Sequence, residues 1–236
     1  MIVAGIPIRI QRKNIKHLHL YVRPPDGRVE VSAPVGMDDE TIFRFVSDKA
    51  EWIRKHREKF AAQDREAPRA YVSGETLYVW GRPYVLQVEQ GRKGNSMVLL
   101  GEKAILTVRR ESTAGQREAY IREWYRGLLK EETARRLPGW EDRTGLYCDS
   151  WQTKHMTTRW GTCNPATRKI WLNVQLAQKP VECLDYVLLH EIAHLKVPNH
   201  GKEFAAILDA HMPGWREVRK RLNGQGETAK GGPREI

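Results

Sequence analysis

Residues 180–200 read PVECLDYVLLHEIAHLKVPNH, and this stretch constrains the chain more than any other. His190 and His194 stand four apart, so on a helix they lie one turn apart on the same face. Val187, Leu188, Ile192 and Leu195 give that helix an apolar surface to bury. Lys179-Pro180 opens it, with proline at a position helices accept near their start. Two imidazoles and a carboxylate are poor company in a core unless they are paired. A metal ion resolves the difficulty. Both imidazoles can reach one ion at about 2.0–2.1 Å. Glu191, rotated by about 100° from His190, stands beside the ion rather than on it.

A catalytic zinc takes three protein ligands and keeps one position open. After His194 the chain reads LKVPNHG, and Pro198-Asn199 end the helix and turn the chain. The turn can carry His200 back toward the ion. The spacing H-E-x-x-H-x-x-x-x-x-H matches the ligand spacing of metzincins, but Val197 holds the place of their glycine, so the turn is built differently. If His200 were only a loop residue, Glu203 or Asp209 would be the substitute ligand. The expected centre is one Zn2+ on His190, His194 and His200, with Glu191 as general base. Zinc brings the pKa of a water down toward about 7, and a carboxylate beside it can take the proton. The expected chemistry is hydrolysis of a peptide bond by metal-activated water.

The formal charge of +11 and a sequence pI of about 9.7 suit polyanion partners and allow non-specific nucleic-acid binding. The alternative function on this ground is a nucleic-acid-associated protein, with a zinc site that acts on DNA-bound proteins or is only structural. The basic run WREVRKRL (215–222) reads first as a solvated helix face and second as a nucleic-acid contact. Hydrolysis of a non-peptide amide is a third possibility. No stretch approaches the roughly 18 apolar residues of a membrane span, and the first residues lack the layout of a secretory signal, so a cytoplasmic protein without membrane contact is expected. Cys148, Cys163 and Cys183 are odd in number and nowhere two apart. They read as reduced thiols rather than a disulfide framework or zinc ribbon. The oligomeric state is not legible.

The fold class is α+β. Residues 1–111 form a strand-rich region with one helix. IPIRIQ, HLHLYV and VEVSAP alternate apolar and polar residues, and a single helix is expected from Asp38 through Phe60. TLYVWG, YVLQVEQ, SMVLL and AILTVRR are further strands. Residues 112–222 form the catalytic part. A helix over EAYIREWYRGLLKEETARRL is expected to stop at Pro138-Gly139. TKHMTTRWGTCN and KIWLNVQLA read as β segments, and three helices follow. Residues 223–236 are Gly-rich and polar and read as a disordered tail.

TTRWGTC (157–163), WLN (171–173), LDYVLLHEIAHLKVPNHGKEF (184–204) and MPGW (212–215) together resemble the YgjP-like zinc metallopeptidases, relatives of SprT-like and other compact gluzincin-type peptidases. Thr162 stands where many relatives carry Ser, a mild departure. The resemblance implies a peptide or protein substrate, His190, His194 and His200 as zinc ligands and Glu191 as catalytic base. It also implies a zincin-like domain with the metal helix packed on a small antiparallel sheet. Arg159, Trp160 and Gly161 are the candidate substrate-binding residues, on the reasoning that an edge strand near the metal pairs with an extended peptide. Gly161 would let a backbone approach closely. His155, Arg159, Tyr147 and His211 are candidates for stabilising the oxyanion, and the sequence does not choose among them.

Overall fold

The computed structural model describes residues 2–23, 27–61, 69–91 and 94–224. The expected disordered tail lies outside these residues apart from Asn223 and Gly224. The chain divides into two compact units, residues 1–68 and 69–236. The strand-rich stretch expected over 1–111 is therefore split, and its second sheet shares a unit and a core with the helices that follow.

The first unit is a four-stranded sheet with two helices. Its strands are β1 (Ile2–Val3), β2 (Ile6–Lys13), β3 (His19–Arg23) and β4 (Arg28–Pro34), in spatial order β1-β2-β4-β3. β2 and β4 are parallel, and the two outer pairings are antiparallel. Alternation along β2 and β4 turns Ile6, Ile8, Val29, Val31 and Ala33 inward. They share a core with Ile42, Val46 and Ile53 from α1 (Asp39–Asp48) and α2 (Ala50–Ala61). Asp38 caps α1 by accepting the Thr41 N–H at 2.7 Å. The single helix expected here is broken at Lys49, whose N–H bonds back three residues to Val46. The break leaves no trace in the apolar spacing, because Val46 and Ile53 are seven residues apart and would share a face of an unbroken helix too.

The second unit opens with a sheet of the same topology. Its strands are β5 (Thr76–Val79), β6 (Arg82–Gln90), β7 (Ser96–Leu100) and β8 (Lys103–Val108), in order β5-β6-β8-β7. Again the middle pair is parallel and the outer pairs antiparallel. No repeat is visible in the sequence, since the fold needs only alternation and turns at matching places. Trp80 and Gly81 both take positive φ in the two-residue β5–β6 hairpin loop. That loop is anchored: the Trp80 N–H donates to the Ala177 carbonyl at 2.9 Å. Gly81 also lies so close to Pro180 that an added Cβ would come within 2.8 Å of its ring.

α3 (Ala114–Thr144) is the longest helix, at 31 residues. Thr113 and Gln116 form a capping box at its start. It runs straight past Pro138, where a stop was expected, and ends at Gly145 in the left-handed region. Tertiary anchors on both sides of the proline outweigh its missing N–H. Arg136 donates to Asp185 Oδ2 at 2.7 Å and Trp140 Nε1 to Asp185 Oδ1 at 2.9 Å.

Beyond α3 lies the small sheet of β9 (Ser150–Lys154), β10 (Gly161–Asn164) and β11 (Lys169–Asn173), in order β10-β11-β9. It is mixed rather than wholly antiparallel, because β9 pairs parallel to β11. The strand expected over 169–177 stops at Asn173, which caps a 3-10 helix (Val174–Gln178). α4 (Val181–Ala193) follows and carries HEIAH, then α5 (Lys202–His211) and α6 (Trp215–Leu222). Ten of the 13 residues of α4 are buried, so it forms the centre of this unit. Among the described residues no helix is long and apolar enough to cross a membrane.

Glu132 completes the α3–α4 link by accepting from Arg135 and Arg136. Those hydrogen bonds, Arg135 first, hold its carboxyl below the ordinary 4.5 against a smaller opposing effect of burial. A depressed carboxylate stabilises the fold above its unfolded pKa, and that contribution fades as pH falls through the folded value. Glu132→Gln is therefore expected to lower stability at neutral pH by about 1 kcal/mol. Urea unfolding should show the gap between the two proteins closing as pH falls through the folded value of Glu132, below which both side chains are neutral. A gap that persists unchanged at acid pH would show that charge plays no part.

Candidate metal centre and cleft

His190 and His194 come from the last turn of α4 and its C-cap, and His200 from the turn before α5. Their three Nε2 atoms form a near-equilateral triangle. The sides are 3.2 Å for His190–His194, 3.1 Å for His190–His200 and 3.0 Å for His194–His200. Among the described residues these three make the grouping of metal-ligand type. His194 Nδ1 lies 3.0 Å from the Val197 carbonyl. A carbonyl only accepts, so Nδ1 carries the proton and Nε2 presents its lone pair to the centre of the triangle.

Burial, then the neighbouring His194 and His200, pushes His190 down to about 2. Burial also lowers His194 and His200. All three rings are therefore neutral at physiological pH. Three mutual N···N contacts cannot all be satisfied by hydrogen bonds among neutral rings when one nitrogen is committed as acceptor. A cation at the centre takes all three lone pairs, and the donor set fits it.

Phe204, buried on α5, lies under the cluster. Its ring centroid is 4.8 Å from His190, 4.7 Å from His194 and 4.8 Å from His200. One side chain thus fixes the rotation of all three imidazoles. The sequence reading passed over it. Its signal is faint: an aromatic four residues after the third histidine, one turn into the following helix.

Glu191 is 2% exposed, and burial raises its carboxyl to about 8, opposed by the charge of Arg159. Its Oε2 has no hydrogen-bond partner. The carboxylate rests against Gly161, where an added Cβ would overlap Oε1 and stand 2.9 Å from Cγ and Cδ. The glycine makes room for the carboxylate of the chain itself, which the sequence reading had reserved for an incoming backbone.

A cleft of about 450 Å3 opens over these groups. One wall is β10 with Arg159 ahead of it and Pro165 after it, and the other holds the three histidines, Glu191 and Pro198. Gly161 and Arg159 therefore border the cleft. Trp160 does not, and its assignment to the substrate is corrected. It is 0% exposed, donates from Nε1 to Asn223 Oδ1 at 3.2 Å, and lies under the Lys179 ammonium. It stands just ahead of β10, between Arg159 and Gly161, which border the cleft, while its own ring is enclosed. Of the four oxyanion candidates only Arg159 lines the cleft. The Tyr147 hydroxyl donates to Asp142, and His155 pairs with Gln175. Cys163 is half-buried on the cleft wall, and burial pushes it up to about 11. Cys183 lies in the core. Asp209 is engaged by Arg216 and Trp215 and is not needed as a ligand.

A family model described as YgjP-like, metallopeptidase domain, matches residues 16–225. The chain belongs to the YgjP-like metallopeptidase family. As a family member it is a peptidase, and its substrates are peptides or proteins. The chain also resembles the crystal structure of the metallopeptidase zymogen of Pyrococcus abyssi abylysin, at 20% identity over 41% of this chain and 93% of that chain, with a TM-score of 0.36. No curated protein matches it.

A second overlooked residue organises the cleft of this YgjP-like chain. Asn173 is 0% exposed, and its Nδ2 donates to the Met156 carbonyl at 2.8 Å and the Arg159 carbonyl at 2.7 Å. Its Oδ1 accepts from the Gln175 N–H at 3.1 Å. It thereby fixes the loop that delivers Arg159 and Gly161. Asparagine ending a strand pattern was the available signal.

Two outcomes are expected. Phe204→Ala should weaken metal binding about 10–100-fold, as loss of ligand support does elsewhere, measured by competition with a chromophoric chelator. Unchanged affinity would mean the rings are held without it. Gly161→Ala should leave metal content intact but displace Glu191, reducing peptide hydrolysis about 100-fold. Undiminished turnover would show that the carboxylate tolerates the shift.

Proposed function

We propose that the chain is a zinc peptidase in which His190, His194 and His200 hold one Zn2+ and Glu191 is the general base. The observation that carries this reading is the juxtaposition just described: three neutral imidazole lone pairs converge within 3.2 Å of one another beside a buried carboxylate with an unpartnered oxygen. An all-imidazole set of three suits zinc and leaves room for a fourth ligand. Bound zinc supplies a Lewis acid at the scissile carbonyl and lowers the pKa of water at the site. Glu191 takes the proton from the attacking water and passes it to the leaving amine. Its raised pKa suits both halves of that transfer, since a group that titrates near neutrality accepts and releases a proton with little penalty.

β10 supports the placement of the peptide. Among the described residues it is an edge strand, paired to β11. The Asn173 N–H donates to the Trp160 carbonyl at 2.9 Å, so positions 160, 162 and 164 face β11. Gly161 and Cys163 consequently turn their N–H and C=O groups to the open edge. An extended peptide added there gains main-chain hydrogen bonds without a sequence requirement. Arg159 is the cation of the cleft lining, available to the developing oxyanion or to an acidic group of the substrate.

The test is metal content by elemental analysis together with cleavage of an unfolded protein. Wild type should carry one zinc per chain and cleave. Glu191→Gln should keep the zinc and lose at least about 100-fold in turnover, while His190→Ala and His194→Ala lose the metal. A Glu191→Gln enzyme of full activity would remove the general base from this account.

A further inference from the structure

We propose that the outer face of the first sheet, formed by β2, β4 and β3, binds single-stranded nucleic acid. This inference stands on a different unit from the metal centre and does not rest on the peptidase reading.

The inner face of that sheet is the apolar core already described. The outer face follows from register. Arg9 lies beside Glu30, which lies beside Tyr21, and Gln11 beside Ser32 beside His19. Lys13 extends the β2 row, and Arg28 and Arg23 pair across β4 and β3. Among the described residues the face therefore carries Arg9, Lys13, Arg23 and Arg28 together with the carboxylate of Glu30. That carboxylate is spanned by Arg23 at 3.3 Å and Arg28 at 3.7 Å, so it orients two guanidinium groups and leaves the face with a net positive charge.

Two rings lie on the same face. His19 and Tyr21, two apart on β3, are stacked with centroids 6.3 Å apart. The Arg23 guanidinium covers the Tyr21 ring at 4.5 Å, so β3 carries three flat π groups in a row. Tyr21 is 37% exposed, so part of its ring is accessible from solvent.

Two properties together select the partner. Cations in rows suit any polyanion, including a phosphate backbone, an acidic protein surface or an anionic membrane. Flat rings flanked by guanidinium planes suit unstacked bases, which a duplex does not offer. A single strand can place its backbone along Arg9 and Lys13 and its bases over Tyr21 and His19. The sister sheet provides the contrast. With identical topology, its outer face exposes Val85 at 48%, Val98 at 55% and Leu100 at 66%. The fold therefore does not by itself require a basic, aromatic surface.

The experiment titrates the full chain into fluorescently labelled oligo-dT and oligo-U of about 12 residues, read by anisotropy at about 50 and 200 mM salt. Single strands of either sugar should bind, and more tightly than a duplex of the same length. Tyr21→Ala should weaken binding about tenfold, and Tyr21→Phe should not, because the ring and not the hydroxyl is used. Removing Arg9 and Lys13 together, each to Ala, should reduce the log–log salt slope by about 1.4. Removing Arg82 and Lys103 from the second sheet takes away the same charge and should change nothing. Thermal melting verifies that each variant is folded, and peptide hydrolysis should be equal in all of them. Three results overturn the proposal: wild-type affinity in folded Tyr21→Ala, equal loss in the Arg82/Lys103 control, or equal competition by an acidic peptide or anionic vesicles at matched charge. Loss of peptidase activity in Glu191→Gln would leave these binding results untouched, so the two readings fail separately.

Discussion

Bringing three imidazoles together beside a buried carboxylate, from buried His190 through half-buried His194 to exposed His200, is unfavourable, and most of the second unit can be understood as making that convergence tolerable. Desolvation holds the histidines neutral and pushes Glu191 toward its protonated form. The same desolvation leaves the Nε2 atoms of His190 and His194 facing one another and His200. Three acceptors turned on one point are in conflict, and a bound cation would relieve it.

Such a cluster survives only if the surrounding structure leaves it no other arrangement. The start of α4 is set by Gly81 against Pro180 and by the Trp80–Ala177 hydrogen bond. Its middle is tied to α3 through Asp185. Its far side stacks Tyr186 on Trp215 of α6, with ring planes 5° from parallel. Phe204 closes the cluster from below, and Gly161 admits Glu191 from the sheet side. These constraints come from five separate segments, so the metal helix has little freedom to rotate or slide.

The sequence disclosed the HEIAH helix and the three imidazoles that converge at its end because their spacing is periodic: positions 190 and 194 share a face, and the turn at Pro198-Asn199 returns His200 to them. It disclosed the strands of both four-stranded sheets because alternation survives in isolation. It did not disclose what depends on partners distant in the chain. Pro138 is a stop signal locally, yet Arg136 and Trp140 hold the helix on either side of it through a residue 45 positions or more away. Trp160 sits in a motif that borders the cleft, and only its enclosure and its hydrogen bond to Asn223, 63 positions away, show that it points inward. Asn173 and Phe204 were overlooked for the same reason. An asparagine amide and a phenylalanine ring carry no chemistry of their own, and acquire a role only through the carbonyls and rings that the fold brings to them.

The two four-stranded sheets extend this argument to the surface. They share strand order, direction and the extent of their central and β3-type pairings, with six parallel and five antiparallel residue pairs in each. Their inner faces are interchangeable in kind, because a core asks only for apolar side chains of suitable volume. Their outer faces have nothing to pack against within their own sheet and are free to differ, and they do: guanidinium groups and rings on one, Val85, Val98 and Leu100 on the other. Where the core dictates topology so completely, the faces it leaves alone are where a difference between the two sheets carries information about what each one meets.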